Sequence, residues 1–250
     1  MGRLVYRIKI PEDAFLNRSE PVVASNLIGI GLYTPTEASH LLGIPAAKIV
    51  RWLKGHRFGG RPYAPLWRPQ VDIGDGHIYL GFRDLMEMRV ANAFIERGLS
   101  PQKVRRAIEI ARDIIGEERP LSTAKFRTDG ITVFLQLTKE DPDHVEMIDL
   151  FISQHVFREI IEPSLKNIDF VDGIPSRWWP NGKQARIVVD PHRAFGQPIE
   201  AESCVPAAVL AAAAQAEGSM ETAARIWSVS VPSVRRSVDF QKGLEQRLAA

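Results

Sequence analysis

The sequence predicts an α+β, mainly helical fold in three parts. These are a winged helix-turn-helix N-terminal half (residues 1–118), a β-hairpin and helix connector (119–182), and a small C-terminal helical domain with a second helix-turn-helix (183–250). Three observations predict this fold. Residues 34–53 have the pattern of two short amphipathic helices joined by a glycine turn, Asp-Gly pairs at 75–76 and 129–130 lie between strand-like runs, and the spacing of the first helices recurs 185 positions later.

Composition limits the class of protein. The 250 residues are 45% hydrophobic and 25% charged, which is typical of a globular chain with a sizeable core. The net charge is only +2, so any nucleic-acid footprint must be local. The single cysteine, Cys204, excludes an intramolecular disulfide and a multi-cysteine zinc site, and no apolar run is long enough to cross a membrane. We expect a cytoplasmic, unanchored protein without a cofactor.

The first part begins with a predicted strand. Arg3–Ile10 alternates apolar and charged residues, which is the period of a half-buried strand. Further on, Thr34 can cap a helix, Pro35 suits its first position, and Gly43 can end it. Two crossed helices would then share a core made of Ala38, Leu41, Ile44, Ile49 and Leu53, with the small Ser39 at their close approach. This pattern is typical of a helix-turn-helix, although other pairs of amphipathic helices share it.

The second helix opens a basic segment. From Ala46 to Val71 the sequence has six Lys or Arg residues and no Asp or Glu, which favours contact with phosphates. We expect the side chains of Lys48 and Arg51 to face the major groove of double-stranded DNA, while more distant arginines contact phosphates. The predicted DNA-binding residues are Thr36, Ala46, Lys48, Arg51, Lys54, Arg57, Arg61, Arg68, Arg235 and Arg236.

A hairpin and two helices are predicted next. The stretch from Leu66 to Phe82 has strand-like runs on both sides of Asp75-Gly76 and is interpreted as a wing. Asp84–Arg97 and Pro101–Ile115 have the apolar period of helices, and Gly98 and Ser100 separate them.

Two motifs stand out in residues 30 to 116. The first is Glu37-Ala38-Ser39-His40-Leu41-Leu42-Gly43-Ile44 followed by Ile49-Val50-Arg51-Trp52, and the second is the helix break Glu96-Arg97-Gly98-Leu99-Ser100. They resemble the opening helix-turn-helix and the later helix break of the DNA-binding part of MerR-type regulators, and the resemblance covers about residues 30 to 116. The resemblance implies a winged helix-turn-helix that binds DNA. The long dimerisation helix and effector domain of such regulators do not follow, so effector sensing is not expected.

The connector is predicted as a hairpin followed by a helix. Ala124–Leu137 surrounds Asp129-Gly130 and has the strongest short hairpin signal in the chain. Val145–Ile161 is amphipathic and predicts a helix that Pro163 ends, and Ile168–Val171 is a candidate strand. The turn-rich stretch 172–184 predicts a domain boundary near Gly182.

The last 65 residues contain four short motifs in order: Arg186-Ile187-Val188-Val189-Asp190-Pro191, Gly196-Gln197-Pro198-Ile199, Val205-Pro206 and Gly218-Ser219. Together they resemble a small domain of unknown function 433 (DUF433), which occurs in bacterial antitoxins of the VapB-like family. At Glu202-Ser203-Cys204 the sequence departs from the family's glycine, small polar residue and arginine. The resemblance implies an antitoxin that blocks a PIN-like ribonuclease toxin and whose complex represses its own operon.

The same region repeats the first helix-turn-helix. A shift of 185 positions places the five predicted core residues on Ala223, Ile226, Val229, Val234 and Val238, all apolar. Ser39 falls on Ala224, and Arg51 falls on Arg236 beside Arg235. A second helix-turn-helix is therefore predicted, which could contact DNA or mediate dimerisation.

Three functions are open at this point. The first is an antitoxin that binds operator DNA and a toxin as a homodimer, and the second is a stand-alone regulator whose C-terminal domain only dimerises. The third is an enzyme that uses His192 or the acidic cluster Glu140, Asp141, Asp143, His144, Glu146 and Asp149. The acids fall where a helix is predicted to begin, a position that favours acids for structural reasons, and Cys204 lacks a nucleophile motif. We therefore predict the antitoxin, without catalytic or metal-binding residues.

Overall fold

The computed structural model describes residues 27–140 and 154–249. The predicted strand Arg3–Ile10 and the first part of the predicted helix Val145–Ile161 lie outside these residues. The described part is α+β and mainly helical, as predicted. Its helices are α1 (Pro35–Leu42), α2 (Ala46–Lys54), α3 (Phe82–Glu96), α4 (Pro101–Ile115), α5 (Ala124–Glu140), α6 (Gln154–Leu165), α7 (Ala207–Glu217), α8 (Met220–Ile226) and α9 (Val231–Ala249). Its strands are β1 (His56–Phe58), β2 (Arg61–Tyr63), β3 (Ile168–Val171), β4 (Ile174–Trp178), β5 (Ile187–Val189) and β6 (Pro198–Glu200).

Helices α1 and α2 form where the sequence predicts two short helices. The Thr34 hydroxyl accepts the backbone N–H of Glu37, and the Glu37 carboxylate accepts the backbone N–H of Thr34, which completes a capping box. Gly43 ends α1 with φ of 70°, a left-handed conformation that glycine adopts without strain. The five apolar positions predicted to form a shared core are all buried: Ala38, Leu41, Ile44, Ile49 and Leu53.

The hairpin lies earlier than the sequence analysis predicts. β1 and β2 pair antiparallel directly after α2, with Arg57 opposite Pro62, and Gly59 and Gly60 both have positive φ in the turn between them. The prediction of a two-stranded wing at Leu66–Phe82 is wrong. Within this segment the two predicted strands are joined only by one isolated bridge, between Val71 and Tyr79. Its Asp75-Gly76 turn is instead held by Asp75, which accepts the backbone N–H of His77.

Helices α3 and α4 agree with the prediction. Ser100 caps α4 through the backbone N–H of Lys103, and Gly116 ends it with φ of 82°. Helix α3 is buried around most of its circumference, so it forms the centre of the main core.

The hairpin predicted at Ala124–Leu137 is wrong, because these residues form the single helix α5. Asp129-Gly130 is a turn signal only locally, and here Gly130 lies in the helix against Phe157 of α6. The buried residues on α5 recur with helical spacing, and they pack with Phe94 and Phe157 into an aromatic cluster. Those on α5 are Phe126, Val133, Phe134 and Leu137. Pro163 lies inside the last turn of α6, which ends at Leu165.

A four-stranded antiparallel sheet follows in the order β3-β4-β5-β6. The predicted strand at Ile168–Val171 is confirmed as β3, but β4 lies within the stretch interpreted as a linker. β4 pairs with β5 through Trp178 and Val189, so the sheet joins residues on both sides of the predicted boundary near Gly182. Trp178 is buried, and the indole N–H of Trp179 donates to Asp169 at 2.8 Å.

The backbone of α8 and α9 repeats that of α1 and α2. Ser219 caps α8 through the backbone N–H of Thr222, as Thr34 caps α1 through Glu37. Ser228 has φ of 52° at the position equivalent to Gly43, and α9 begins at the position equivalent to the start of α2. The internal repeat predicted at a shift of 185 is therefore present in the backbone. Three of the five apolar positions differ in burial: Ala223 and Val234 are buried like their counterparts, whereas Val229 and Val238 are half-buried and Ile226 is exposed.

The segment before α1 packs against the C-terminal part of the chain. The Leu32 N–H donates to the Phe195 carbonyl at 2.9 Å, and the buried Tyr33 hydroxyl donates to the Gly196 carbonyl at 2.7 Å. Phe240 and Leu244 of α9 belong to the same buried cluster as α1, α2 and α3. Within residues 27–140 and 154–249, no helix is both long and apolar enough to cross a membrane.

Candidate nucleic-acid interface

The candidate interface consists of α2, the β1–β2 hairpin and the segment that follows it. The side chains of Arg51, Lys54, Arg57 and Arg68 are exposed and have no ion-pair or hydrogen-bond partner among the described residues. Four positive charges without a nearby carboxylate attract phosphates more strongly than paired ones. This surface therefore has the charge that the basic segment of the sequence predicts.

The remaining predicted residues of this region have other surroundings. Thr36 is exposed in the first turn of α1, and Ala46 is half-buried at the start of α2. Arg61 lies in β2, and its side chain is outside what the structure describes. Lys48 donates to the amide oxygen of Asn92 on α3 at 3.1 Å.

The same ammonium of Lys48 lies 4.8 Å from the centre of the Trp52 ring. Lys48 is thus held against the protein, where it fixes α2 to α3 instead of pointing outward with Arg51. Sequence spacing alone could not indicate this, because Asn92 is 44 residues away.

The hairpin is anchored at its exit. The Arg105 guanidinium on α4 donates to the carbonyl of Pro65 at 2.8 Å and to that of Ala64 at 2.7 Å. The Leu66 N–H donates to the Trp52 carbonyl at 2.7 Å, which ties the hairpin exit to α2. Helix and hairpin are therefore held in a fixed relation, which a surface that contacts two parts of a duplex requires.

A buried ionic network supports the segment that carries Arg68. Asp84 accepts the indole N–H of Trp67 at 3.1 Å, the backbone N–H of Gln70 at 2.6 Å and the Arg119 guanidinium at 2.6 Å. Arg119 in turn donates to the carbonyl of Arg68 at 2.7 Å. This network is not among the features predicted from the sequence, although two acids, Asp84 and Glu87, on a largely apolar helix were an available signal.

Glu87 stabilises the loop after α4. Its carboxylate accepts the backbone N–H groups of Leu121 at 3.0 Å and Ser122 at 2.9 Å. Burial raises the pKa of Glu87 to about 7, while those two bonds and the positive charge of Arg119 act in the opposite direction.

The two predicted DNA contacts in the second repeat differ from each other. Arg235 is exposed on α9. Arg236 donates to the fully buried carboxylate of Glu200 from Nη2 at 2.7 Å and from Nε at 3.2 Å, and it also pairs with Glu202. The guanidinium of Arg236 is thus already shared between two carboxylates and is less available to a phosphate than that of Arg235.

The residues weighed for catalysis have no common site in the described chain. Most of the acidic cluster, Asp141 to Asp149, lies outside the described residues. Elsewhere, the described part contains no group of three or more His, Cys, Asp or Glu side chains that could hold a metal ion. Cys204 is exposed, and its sulfur lies 3.0 Å from the Arg193 guanidinium.

Comparison with known proteins finds similar chains, among them two from Mycobacterium tuberculosis. The protein named "Putative antitoxin VapB45" is 28% identical over 226 residues, which are 84% of this chain and 93% of that protein. The crystal structure of Rv2018 superposes with a TM-score of 0.65 at 25% identity, over 84% of this chain and 99% of the other. No family model matches the chain.

Proposed function

We propose that this chain is the antitoxin of a type II toxin-antitoxin system, and that it also binds DNA. The observation that carries the proposal is its similarity to the mycobacterial antitoxin relative over 84% of its length. The resemblance of residues 186–219 to DUF433 supports the same function and suggests the toxin class, a PIN-like ribonuclease. In this proposal the protein acts in the cytoplasm and is not an enzyme.

The proposed DNA-binding surface is a winged helix-turn-helix of the MerR type. Its support is the order of elements, in which two short helices, a hairpin and two longer helices follow one another, and the four unpaired cations on α2 and after it. Helix α2 would enter the major groove with Arg51 and Lys54, and Arg57 and Arg68 would contact phosphates on either side. Lys48 would orient α2 through Asn92.

Repression of the operon follows from the same surface. One short recognition helix contacts only a few base pairs, so a homodimer on two half-sites would supply the affinity and specificity that binding to an operator requires. The toxin would bind elsewhere on the chain, since sequestering a ribonuclease needs roughly 800 Å² per partner and α2 would be occupied by DNA.

Co-expression tests the proposal directly. The probe is the product of the reading frame that adjoins this gene, expressed from an inducible promoter with and without the full chain. We expect growth arrest from that product alone and growth when the full chain is present. Arrest in both cultures, or no arrest in either, would contradict the antitoxin function.

A DNA-binding assay separates the antitoxin from a stand-alone regulator. The duplex is the region upstream of the gene pair, and affinity is measured across a series of salt concentrations. Specific binding without any neutralisation would favour a regulator whose C-terminal part only dimerises. Neutralisation without specific binding would remove the repressor role and retain the antitoxin.

A further inference from the structure

We propose that the start of the α8–α9 turn, made of Arg225 and Ile226 at the end of α8 and Trp227 directly after them, is the docking surface for the toxin and does not contact DNA. The partner chemistry that fits is a protein surface with an apolar pocket bordered by carboxylates. This inference rests on the proposed antitoxin function and specifies which part of the chain holds the partner.

Burial distinguishes this turn from its counterpart in the first repeat. Ile226 is 57% exposed, whereas Leu41, at the equivalent position of α1, is 5% exposed. Trp227 beside it is 42% exposed, so two adjacent large apolar side chains face solvent. The caps, the left-handed turn residue and the helix starts correspond in the two units, so the exposure of Ile226 reflects a different use of the surface and not a different local fold.

The turn is fixed before any partner arrives. The Trp227 N–H donates to the Ala223 carbonyl at 3.0 Å, and the Val229 N–H donates to the Ala224 carbonyl at 2.9 Å. Ser228 between them adopts the left-handed conformation, with φ of 52°. An ordered backbone lowers the conformational entropy that binding through Trp227 would cost.

Charge argues against DNA at this surface. Thr36, Lys48 and Lys54 of the first repeat correspond to Glu221, Ser233 and Asp239 in the second. Arg51, exposed and unpaired in the first, corresponds to Arg236, which is bonded to Glu200 and Glu202. At the positions equivalent to the proposed DNA contacts, the second unit thus has two acids and a paired arginine, which disfavour a phosphate backbone.

Charge also argues for an acidic partner. Arg225 directly precedes Ile226, and its side chain is exposed and has no partner among the described residues, whereas the exposed Arg235 interacts electrostatically with Glu221. Trp and Arg are the side chains most enriched among residues that dominate protein binding energy, and Arg225 favours a carboxylate on the partner. A twofold contact between two copies centred on Ile226 and Trp227 would bring the two copies of Arg225 together, which is unfavourable.

The test uses purified full-length variants and the purified product of the adjoining reading frame. The variants are Ile226→Glu, Trp227→Glu and the milder Trp227→Ala, with Val171→Glu as a matched control because Val171 is 61% exposed at the end of β3. Urea unfolding first verifies that each variant is folded. Binding is measured by titration calorimetry, and affinity for the upstream duplex is measured in parallel.

We expect Trp227→Glu and Ile226→Glu to bind the partner at least about 30-fold more weakly, with Val171→Glu unchanged and DNA affinity unchanged in all variants. Wild-type affinity in both turn variants would overturn the inference while leaving the antitoxin function intact. Loss of DNA affinity or of a homodimer, with partner affinity retained, would also overturn it by assigning the turn to DNA or to a second copy. If even the wild-type chain does not bind the partner, the proposed function itself fails.

Discussion

Arg51 and Arg236 occupy equivalent positions in the two repeats, and their replacement should have opposite consequences. Arg51 is exposed and has no partner among the described residues, whereas Arg236 neutralises the buried carboxylate of Glu200. Arg51→Ala should therefore impair DNA binding and leave stability unchanged. Arg236→Ala should impair stability and leave the DNA affinity of the folded protein unchanged.

The magnitudes follow from the local contacts. Removing one partner of a buried ion pair typically costs about 3–5 kcal/mol, because the other charge remains buried. In the Arg236→Ala variant, Glu200 still accepts its two hydrogen bonds from Ser203. Because the Arg236 side chain is 23% exposed, water can partly replace its guanidinium beside Glu200. We expect Arg236→Ala to lower the free energy of unfolding by about 2–3 kcal/mol, which corresponds to roughly 4–12 °C in Tm for a chain of this size.

For Arg51→Ala the expected change in unfolding free energy is within about 0.5 kcal/mol. Its operator affinity should fall by about 1–3 kcal/mol if the guanidinium reads a base, and the slope of log K against log salt should fall by about 0.9 if it contacts a phosphate. Urea unfolding and fluorescence anisotropy on the upstream duplex measure the two quantities on the same preparations.

The pH dependence of stability gives a second test of the ion pair between Arg236 and Glu200. Burial alone would raise the pKa of Glu200, but the bonds from Ser203 and Arg236 outweigh burial and hold this pKa below its ordinary value. A carboxyl group whose folded-state pKa is lowered contributes stability above its unfolded-state pKa and loses it as the pH falls. Wild type should thus lose more stability than Arg236→Ala on acidification below about pH 4.5. A normal stability with a loss of DNA affinity in Arg236→Ala would refute the assignment.

Three further predictions concern other side chains. Arg57→Ala and Arg68→Ala should each weaken binding to operator and unrelated duplexes alike and lower the salt slope by about 0.9, and a loss confined to the operator in anisotropy titrations would contradict phosphate contact. Burial raises the pKa of Glu87 from 4.5 to about 7, so its contribution to stability is present below pH 4.5 and is lost as the pH rises through about 7. The free energy of unfolding should fall by up to about 3 kcal/mol over this interval, and urea unfolding of Glu87→Gln should show a flatter dependence. Gly130→Ala should destabilise by about 1–2 kcal/mol because its methyl group meets the Phe157 ring, while Gly243→Ala in α9, where an added methyl meets nothing within 4 Å, should stabilise by up to about 1 kcal/mol. The reverse order of their melting temperatures would contradict the packing around Gly130.

Local signals predicted the parts of the fold that local interactions determine. Thr34 and Gly43 act within one or two turns of α1, so cap and terminator could be located from sequence alone. The internal repeat at a shift of 185 could also be predicted from the sequence, because the second unit has the apolar spacing of the first together with a capping residue, Ser219. Helices α3 and α4 followed from apolar periodicity, which the core imposes on any amphipathic helix.

Tertiary contacts decided the elements that sequence reasoning missed. Asp129-Gly130 favours a turn in isolation, yet burial of the surrounding apolar residues against Phe94 and Phe157 selects a helix in which Gly130 leaves room for a ring. The roles of Lys48 and Arg236 depend on Asn92 and Glu200, which are 44 and 36 residues away in sequence. A charge pattern indicates how many cations a segment has, but only the fold determines which of them remain free.

The two repeats share their caps, turn conformation and helix starts but expose different side chains, and this difference bears on how repression and neutralisation could coexist. The proposed DNA surface uses Arg51, Lys54, Arg57 and Arg68, while the proposed partner surface uses Arg225, Ile226 and Trp227, so the two share no residue. Helix α1 packs against α9, and residues of both repeats belong to the same buried cluster. A partner held at the α8–α9 turn would therefore be fixed to the body that carries α2 without competing for the cations that bind phosphate. For a complex of antitoxin and toxin to repress an operon, both ligands must be bound at once, and separate surfaces on a common core satisfy that requirement.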